Sequence, residues 1–335
     1  MKFFVTSQSS QHSFEVPESG PWLEFFRAIS KSGHELVSVD DNPDVVVCMN
    51  NHPNLLNELN RKKYKPFKIL VLWEPKVTRP SNFNKARIKE FNRIFSPSQL
   101  WLSGSNVEYF PWPQNSFELW KSRWIDWEER SNQILAFQSN KFSFTKGEMY
   151  SLRRKVVKEL EEEIDLYGLG WGSGRYISLH LGKSAYNHLR WNGFKDLVIP
   201  RHCFVKPPKN SGFTSEKMKL LLESKFSLVV ENSKDYVSEK LFESAVTGNI
   251  AIYIGPKLSE FGIPKIAIEA RDDVNGIFEA IERARTDDDL VGQIRETMVN
   301  YLSSDNYYAM KNDLVLKKLA DRIINVAQEE DYRES

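Results

Sequence analysis

The sequence predicts an α/β protein built from two halves, each a parallel sheet covered by helices. Three observations lead there. At 335 residues the chain is too long for one ordinary core and suits two domains. Short apolar runs alternate with helical patterns up to about residue 115, and the alternation restarts at Gln133. Finally, Phe226–Val230, a polar turn, a short helix and Ile250–Ile254 make a strand–helix–strand unit, a right-handed parallel crossover in nearly all known cases.

Taken in order, Lys2–Thr6 reads as a short apolar strand and Pro21–Ser30 as a helix with Trp22, Phe25, Phe26 and Ile29 on one face. Glu35–Val39, Asp44–Met49 and Phe67–Trp73 are β-rich, the last two apolar enough for buried parallel strands. This half is Rossmann-like, but no Gly-x-Gly-x-x-Gly follows its first strand, so dinucleotide binding is unsupported there. Residues 116–130 read as a helical segment whose stripe of Phe117, Trp120, Trp124 and Trp127 packs the two domains together. The sharper alternative is that Trp101 or Trp112 stacks on a sugar ring. Gln133–Gln138 is a strand, Gly147–Glu163 a helix with Leu152, Val156, Leu160 and Ile164 on one face, and Asp165–Gly168 a strand. A glycine-rich run to Gly174 and a basic, irregular stretch over 175–213 follow, with Lys206–Asn210 as a loop. Ser215–Lys225, Leu290–Leu302 and Tyr308 to about Ala327 read as helices, the last crossing back onto the first domain. The expected boundaries are 1–130, 131–310 and 311–335.

Composition removes several function classes. Lys plus Arg (46) nearly cancels Asp plus Glu (45), so no global field draws in nucleic acid or an anionic membrane. No run reaches the roughly 20 apolar residues that span a bilayer, and the apolar start Met1–Thr6 is too short for a signal peptide. The two cysteines, Cys48 and Cys203, lie far apart, and a cytoplasmic location is expected. The six histidines show no paired ligand spacing, and Asp287-Asp288-Asp289 reads as a helix start rather than a metal motif, so no metal and no cofactor are expected.

The candidate chemistry gathers at Glu231–Lys240. The helix after this turn has its stripe at Val237, Leu241 and Ala245, with Gly248 at a left-handed cap. Asn232, Tyr236, Glu239 and Lys240 therefore collect an amide, a phenol, a carboxylate and a cation at one helix mouth, where α/β sheets bind ligands and backbone amides face anions. Earlier, the strand Phe67–Trp73 runs into Glu74, a carboxylate suited to taking a proton from a hydroxyl. Arg153 and Arg154 open the helix before Asp165–Gly168, and a guanidinium fork fits two phosphate oxygens.

In order and spacing, Phe226–Pro256 resembles the signature of the α-1,3-fucosyltransferases: an apolar strand, Glu-Asn-Ser/Thr, a polar insert, Tyr-Val-Thr-Glu-Lys, a helix, and a strand ending in Gly-Pro. Ser238 replaces the usual Thr, Val229-Val230 stands where Phe often precedes the Glu, and Gly168-Leu169-Gly170 stands where animal members carry an arginine. The resemblance implies a GT-B fold, two Rossmann-like domains facing across a cleft. It implies metal-independent transfer of L-fucose from GDP-fucose, with inversion, to the 3- or 4-hydroxyl of an acceptor glycan sugar. Glu74 would be the base, Arg153 the diphosphate contact with Arg154 competing, Glu239 the ribose contact, and Lys240 and Tyr236 further diphosphate contacts beside Asn232. Family members in the secretory pathway carry a membrane anchor; this chain looks like a bacterial or phage-type member. Acceptor recognition is expected in the first domain and in loops such as 7–20. The rivals are the same fold with another nucleotide sugar, and a non-catalytic sugar-binding protein.

Overall fold

The computed structural model describes residues 1–6, 22–62, 64–169, 171 and 216–334. The 7–20 loop, the glycine-rich run apart from its first residues and Trp171, Cys203 and the Lys206–Asn210 loop lie outside the described residues.

One compact unit comprises 1–114 and 306–335. Its strands are β1 (Lys2–Val5), β2 (Glu35–Leu36), β3 (Val45–Met49), β4 (Phe67–Val71), β5 (Arg93–Ser96) and β6 (Val107–Tyr109), in the spatial order β2-β1-β3-β4-β5-β6. Every pair is parallel, with Val47 opposite Ile69 in the central register. All five residues of β3 are buried, as a strand covered on both faces requires. Helix α1 (Trp22–Lys31) lays Phe25 and Ile29 on one face of the sheet beside α11 (Asn312–Glu334), which contributes Leu316, Leu319 and Ile323 to the same core. The remaining helices here are α2 (Pro53–Arg61), the short α3 (Lys85–Ile88) and α10 (Asp305–Tyr308), whose Asp305 stands at the junction with the second unit.

The second unit, residues 115–305, carries β7 (Ser131–Phe137), β8 (Ile164–Tyr167), β9 (Ser224–Val230), β10 (Ile250–Ile254) and β11 (Ile268–Glu269) in the order β11-β10-β9-β7-β8, again all parallel. Helices α5 (Tyr150–Glu159), α6 (Lys217–Glu223), α7 (Glu239–Val246), α8 (Val274–Thr286) and α9 (Asp288–Leu302) belong to this unit. Its core joins Ile134, Val156, Leu228, Ile252, Ile277 and Ile294.

Contact between residues thus changes partner at Asn115, not near residue 130 as expected. The 116–130 stretch is not one helix either: α4 covers only Phe117–Lys121, and a 3-10 turn covers Trp127–Glu129. The aromatic spacing has a tertiary cause. Trp124 donates its indole N–H to the Val246 carbonyl at 2.8 Å, and Arg130 donates to the Thr247 carbonyl at 3.0 Å, so this segment satisfies carbonyls at the end of α7. Gly248, at φ 74°, turns the chain out of α7, and a side chain there would meet Trp124 and Arg130 at 2.9 Å. Trp127 packs on Phe226 and lies under Arg295.

Candidate functional site

The end of β9 is built around buried charge. Glu231 continues the ladder past the strand, its N–H donating to Ile254 O at 2.8 Å, and its side chain is fully buried. One carboxylate oxygen accepts the Ser238 N–H at 2.8 Å, and the other lies 3.2 Å from Lys240 Nζ. Lys240 also donates to Ser238 Oγ at 3.0 Å, and Ser238 is the N-cap of α7. The loop closes on itself: Glu231 fixes the first turn of the helix that follows it.

Arg153, from α5, secures the other side of that loop. Its Nη2 donates to Val230 O at 2.7 Å, Glu231 O at 3.3 Å and Asn232 Oδ1 at 3.0 Å, while Nη1 reaches Ser139 O at 3.2 Å. Asn232 passes the contact on through Nδ2 to the Tyr236 hydroxyl at 2.6 Å, and the Asn232 carbonyl accepts from Met149 N at 2.9 Å. The guanidinium is entirely buried over the Tyr150 ring, and burial pushes its pKa down while Tyr150, Glu231 and Tyr236 pull it back up. Arg154 points elsewhere, to the Lys141 carbonyl and Ser151 Oγ, over Phe142. Of the two arginines only Arg153 meets the 231–240 loop through these bonds. Glu239 is the exposed first residue of α7. Beneath the loop, Tyr253 is 1% exposed and its hydroxyl has no hydrogen-bond partner among the described residues; burial and the nearby Glu231 raise its pKa. A side chain at Gly255 would come within 2.4 Å of that hydroxyl.

In the other unit, Glu74 follows β4 by three residues and is half-buried. Two asparagines hold its backbone, and a third joins them. Asn50, at φ 67° just beyond β3, accepts through Oδ1 from Trp73 N and Glu74 N, both at 3.0 Å, and from Asn82 Nδ2 at 2.8 Å. Asn82 Nδ2 also donates to Glu74 O at 3.0 Å, and its Oδ1 accepts from Asn51 N at 2.9 Å. Asn51 Nδ2 donates to Ser81 O at 2.9 Å, and Arg79 Nη2 to Asn51 O at 3.1 Å. Sequence reading placed Glu74 here but assigned nothing to Asn50 or Asn51; the one available signal was an Asn-Asn pair directly after a wholly apolar strand.

An aromatic group adjoins this end of the sheet. Trp73 stacks on Trp112 at 4.7 Å and meets Trp22 edge-on at 4.6 Å, and Trp101 packs against Trp112 and Phe83. Trp101 is buried and Trp112 half-buried. Asp287 caps α9 by accepting from Leu290 N at 2.9 Å, as a helix start should. Among the described residues, no cluster of three or more His, Cys, Asp or Glu side chains could hold a metal, and no helix is long and apolar enough to cross a membrane.

No protein-family model matches the sequence, and a search of curated proteins finds no match. Solved structures match over nearly the full length. An α-glucosyltransferase, in complex with UDP and a 13-mer DNA containing a HMU base, superposes with a TM-score of 0.54 at 14% identity, covering 96% of this chain and 99% of its own. HepE of Anabaena, in complex with UDP and glucose, gives 0.55 at 9% identity over 97% and 100% of the two chains. A trehalose-6-phosphate synthase, described for glycosyltransfer with retention, gives 0.55 at 12% identity over 90% and 77%. These neighbours are GT-B glycosyltransferases, and the fold of this chain is GT-B. At such identities the likeness speaks for the fold alone.

Proposed function

We propose that this protein is a glycosyltransferase that moves a sugar from a nucleotide-sugar donor to a hydroxyl of an acceptor glycan, with GDP-fucose as donor and inversion at the anomeric carbon. The observation that carries the reading is the 231–240 loop: a strand end, a helix N-terminus and the Arg153–Asn232–Tyr236 chain converge there. Those groups suit a diphosphate, because helix amides and a neighbouring ammonium favour an anion. The Phe226–Pro256 signature makes fucose the donor sugar of choice.

In this mechanism Glu74 takes the proton from the acceptor hydroxyl as its oxygen bonds to the anomeric carbon. The bond from that carbon to the diphosphate breaks, and GDP leaves with the electron pair. Lys240 and the N-terminus of α7 offset the charge that builds on the departing oxygen. Glu239 accepts from the ribose hydroxyls, and Asn232 and Tyr236 complete the donor site. Arg153 is the diphosphate-side cation of this reading, and its four hydrogen bonds to protein oxygens hold it against the loop as a fixed positive charge.

A second donor reading has its own support, since the α-glucosyltransferase and HepE structures both hold UDP. Calorimetric titration with GDP, UDP and ADP, with and without EDTA, separates the two. Binding of GDP alone, unchanged by EDTA, is the expected result; preference for UDP would move the donor to a UDP-sugar and leave the fold reading intact.

A further inference from the structure

The backbone on both sides of the Glu74 α-carbon is held by side chains from other segments. Its N–H is taken by Asn50 Oδ1 at 3.0 Å and its C=O by Asn82 Nδ2 at 3.0 Å, and the two amides bond each other at 2.8 Å. Asn50 is 1% exposed and Asn82 is fully buried. An ordinary glutamate past a strand end needs none of this, because water can satisfy its peptide groups. Asn50 accepts three donors on one oxygen while standing at φ 67°, a region few residues other than glycine and asparagine enter readily.

The choice of amide is informative. A carboxylate at position 50 would accept the same three donors, and with stronger hydrogen bonds. It would also put a second negative charge beside Glu74 and oppose its ionisation. A charged neighbour already present is Arg79, whose pKa burial lowers and Glu74 raises. Taking Glu74 as the base proposed above, we infer that Asn50 and Asn82 are its positioning residues: they clamp the peptide groups on either side of it and, being neutral, add no charge that would keep it protonated.

The test compares Asn50→Gly, Asn50→Asp and Glu74→Ala in the intact chain. It reads GDP release from GDP-fucose with a mixture of glycan acceptors, and GDP affinity by calorimetry. Asn50→Gly keeps the backbone conformation and removes the acceptor oxygen, so kcat should fall about 100-fold with GDP affinity unchanged. Asn50→Asp keeps the three donors satisfied; its kcat should recover at high pH, with the acid limb of the profile displaced upward. Wild-type kcat in Asn50→Gly alongside an inactive Glu74→Ala overturns the inference, and so does an unmoved acid limb in Asn50→Asp. If Asn50→Gly does not fold, the Asn50→Asp profile decides. Near-normal turnover by Glu74→Ala is a distinct failure that removes the base itself, and the positioning role with it.

Discussion

At the end of β4 the loop bearing Glu74 is held by neutral amides, whereas at the end of β9 the 231–240 loop is held by full charges. Asn50 and Asn82 make the first clamp; Arg153, Glu231 and Lys240 make the second. Both lie at carboxyl ends of strands in parallel sheets, where α/β proteins place their ligands. Each neutral bond is worth about 1 kcal/mol net, and losing one leaves the rest in place. A buried charge is less forgiving, because a partner left alone has neither water nor a counter-charge. The neutral clamp suits a carboxylate that must ionise, while in the other loop the cations Arg153 and Lys240 flank the buried Glu231.

The sharpest way to break this contrast is Arg153→Met, which deprives Val230 O, Glu231 O and Asn232 Oδ1 of their donor. A loss of about 4 to 5 kcal/mol in urea unfolding is expected; a loss near 1 kcal/mol would make the two clamps equivalent. Next comes Glu231→Gln, which can keep the bond from Ser238 N but ends the ion pair with Lys240. Its expected loss is about 3 kcal/mol, with weakened GDP binding in the same sample, because the α7 cap is loosened. The smallest effect belongs to Asn82→Ala. It strands Asn51 N and Glu74 O but leaves Asn50 two donors, for about 2 kcal/mol by the same unfolding measurement. An Asn82→Ala loss exceeding that of Arg153→Met would reverse the comparison.

The sequence disclosed the β9–α7–β10 unit well, because two apolar runs, the stripe of Val237, Leu241 and Ala245, and Gly248 all agree there. It also located β3, β4 and Glu74 from continuous hydrophobicity. It missed β5 and β6, which are four and three residues long and carry charged residues. It missed α8 too, although Asp273 caps it and Ile277, Ala280, Ile281 and Ala284 share a face. The tryptophan spacing over 117–127 imitated a helix, but the indoles answer to α7 and Phe226 rather than to a local period. Nor could periodicity pair Asn50 with Asn82: their contact spans 32 positions and exists only once β3 and β4 lie side by side. The full burial of Glu231 was equally hidden, since a carboxylate at a strand end is ordinarily solvated.

The return of α11 to the first sheet also has a consequence for biosynthesis. Residues 115–305 leave the ribosome as one uninterrupted stretch and can close their sheet while translation continues. The unit that opens with β1 cannot do so. Phe25 and Ile29 can settle on the strands early, but their shared core lacks Leu316, Leu319 and Ile323 until the end of the chain has been made. For the whole passage of the second unit through the exit tunnel, that core stays without its C-terminal helix. The half of the molecule translated first is the last to be sealed.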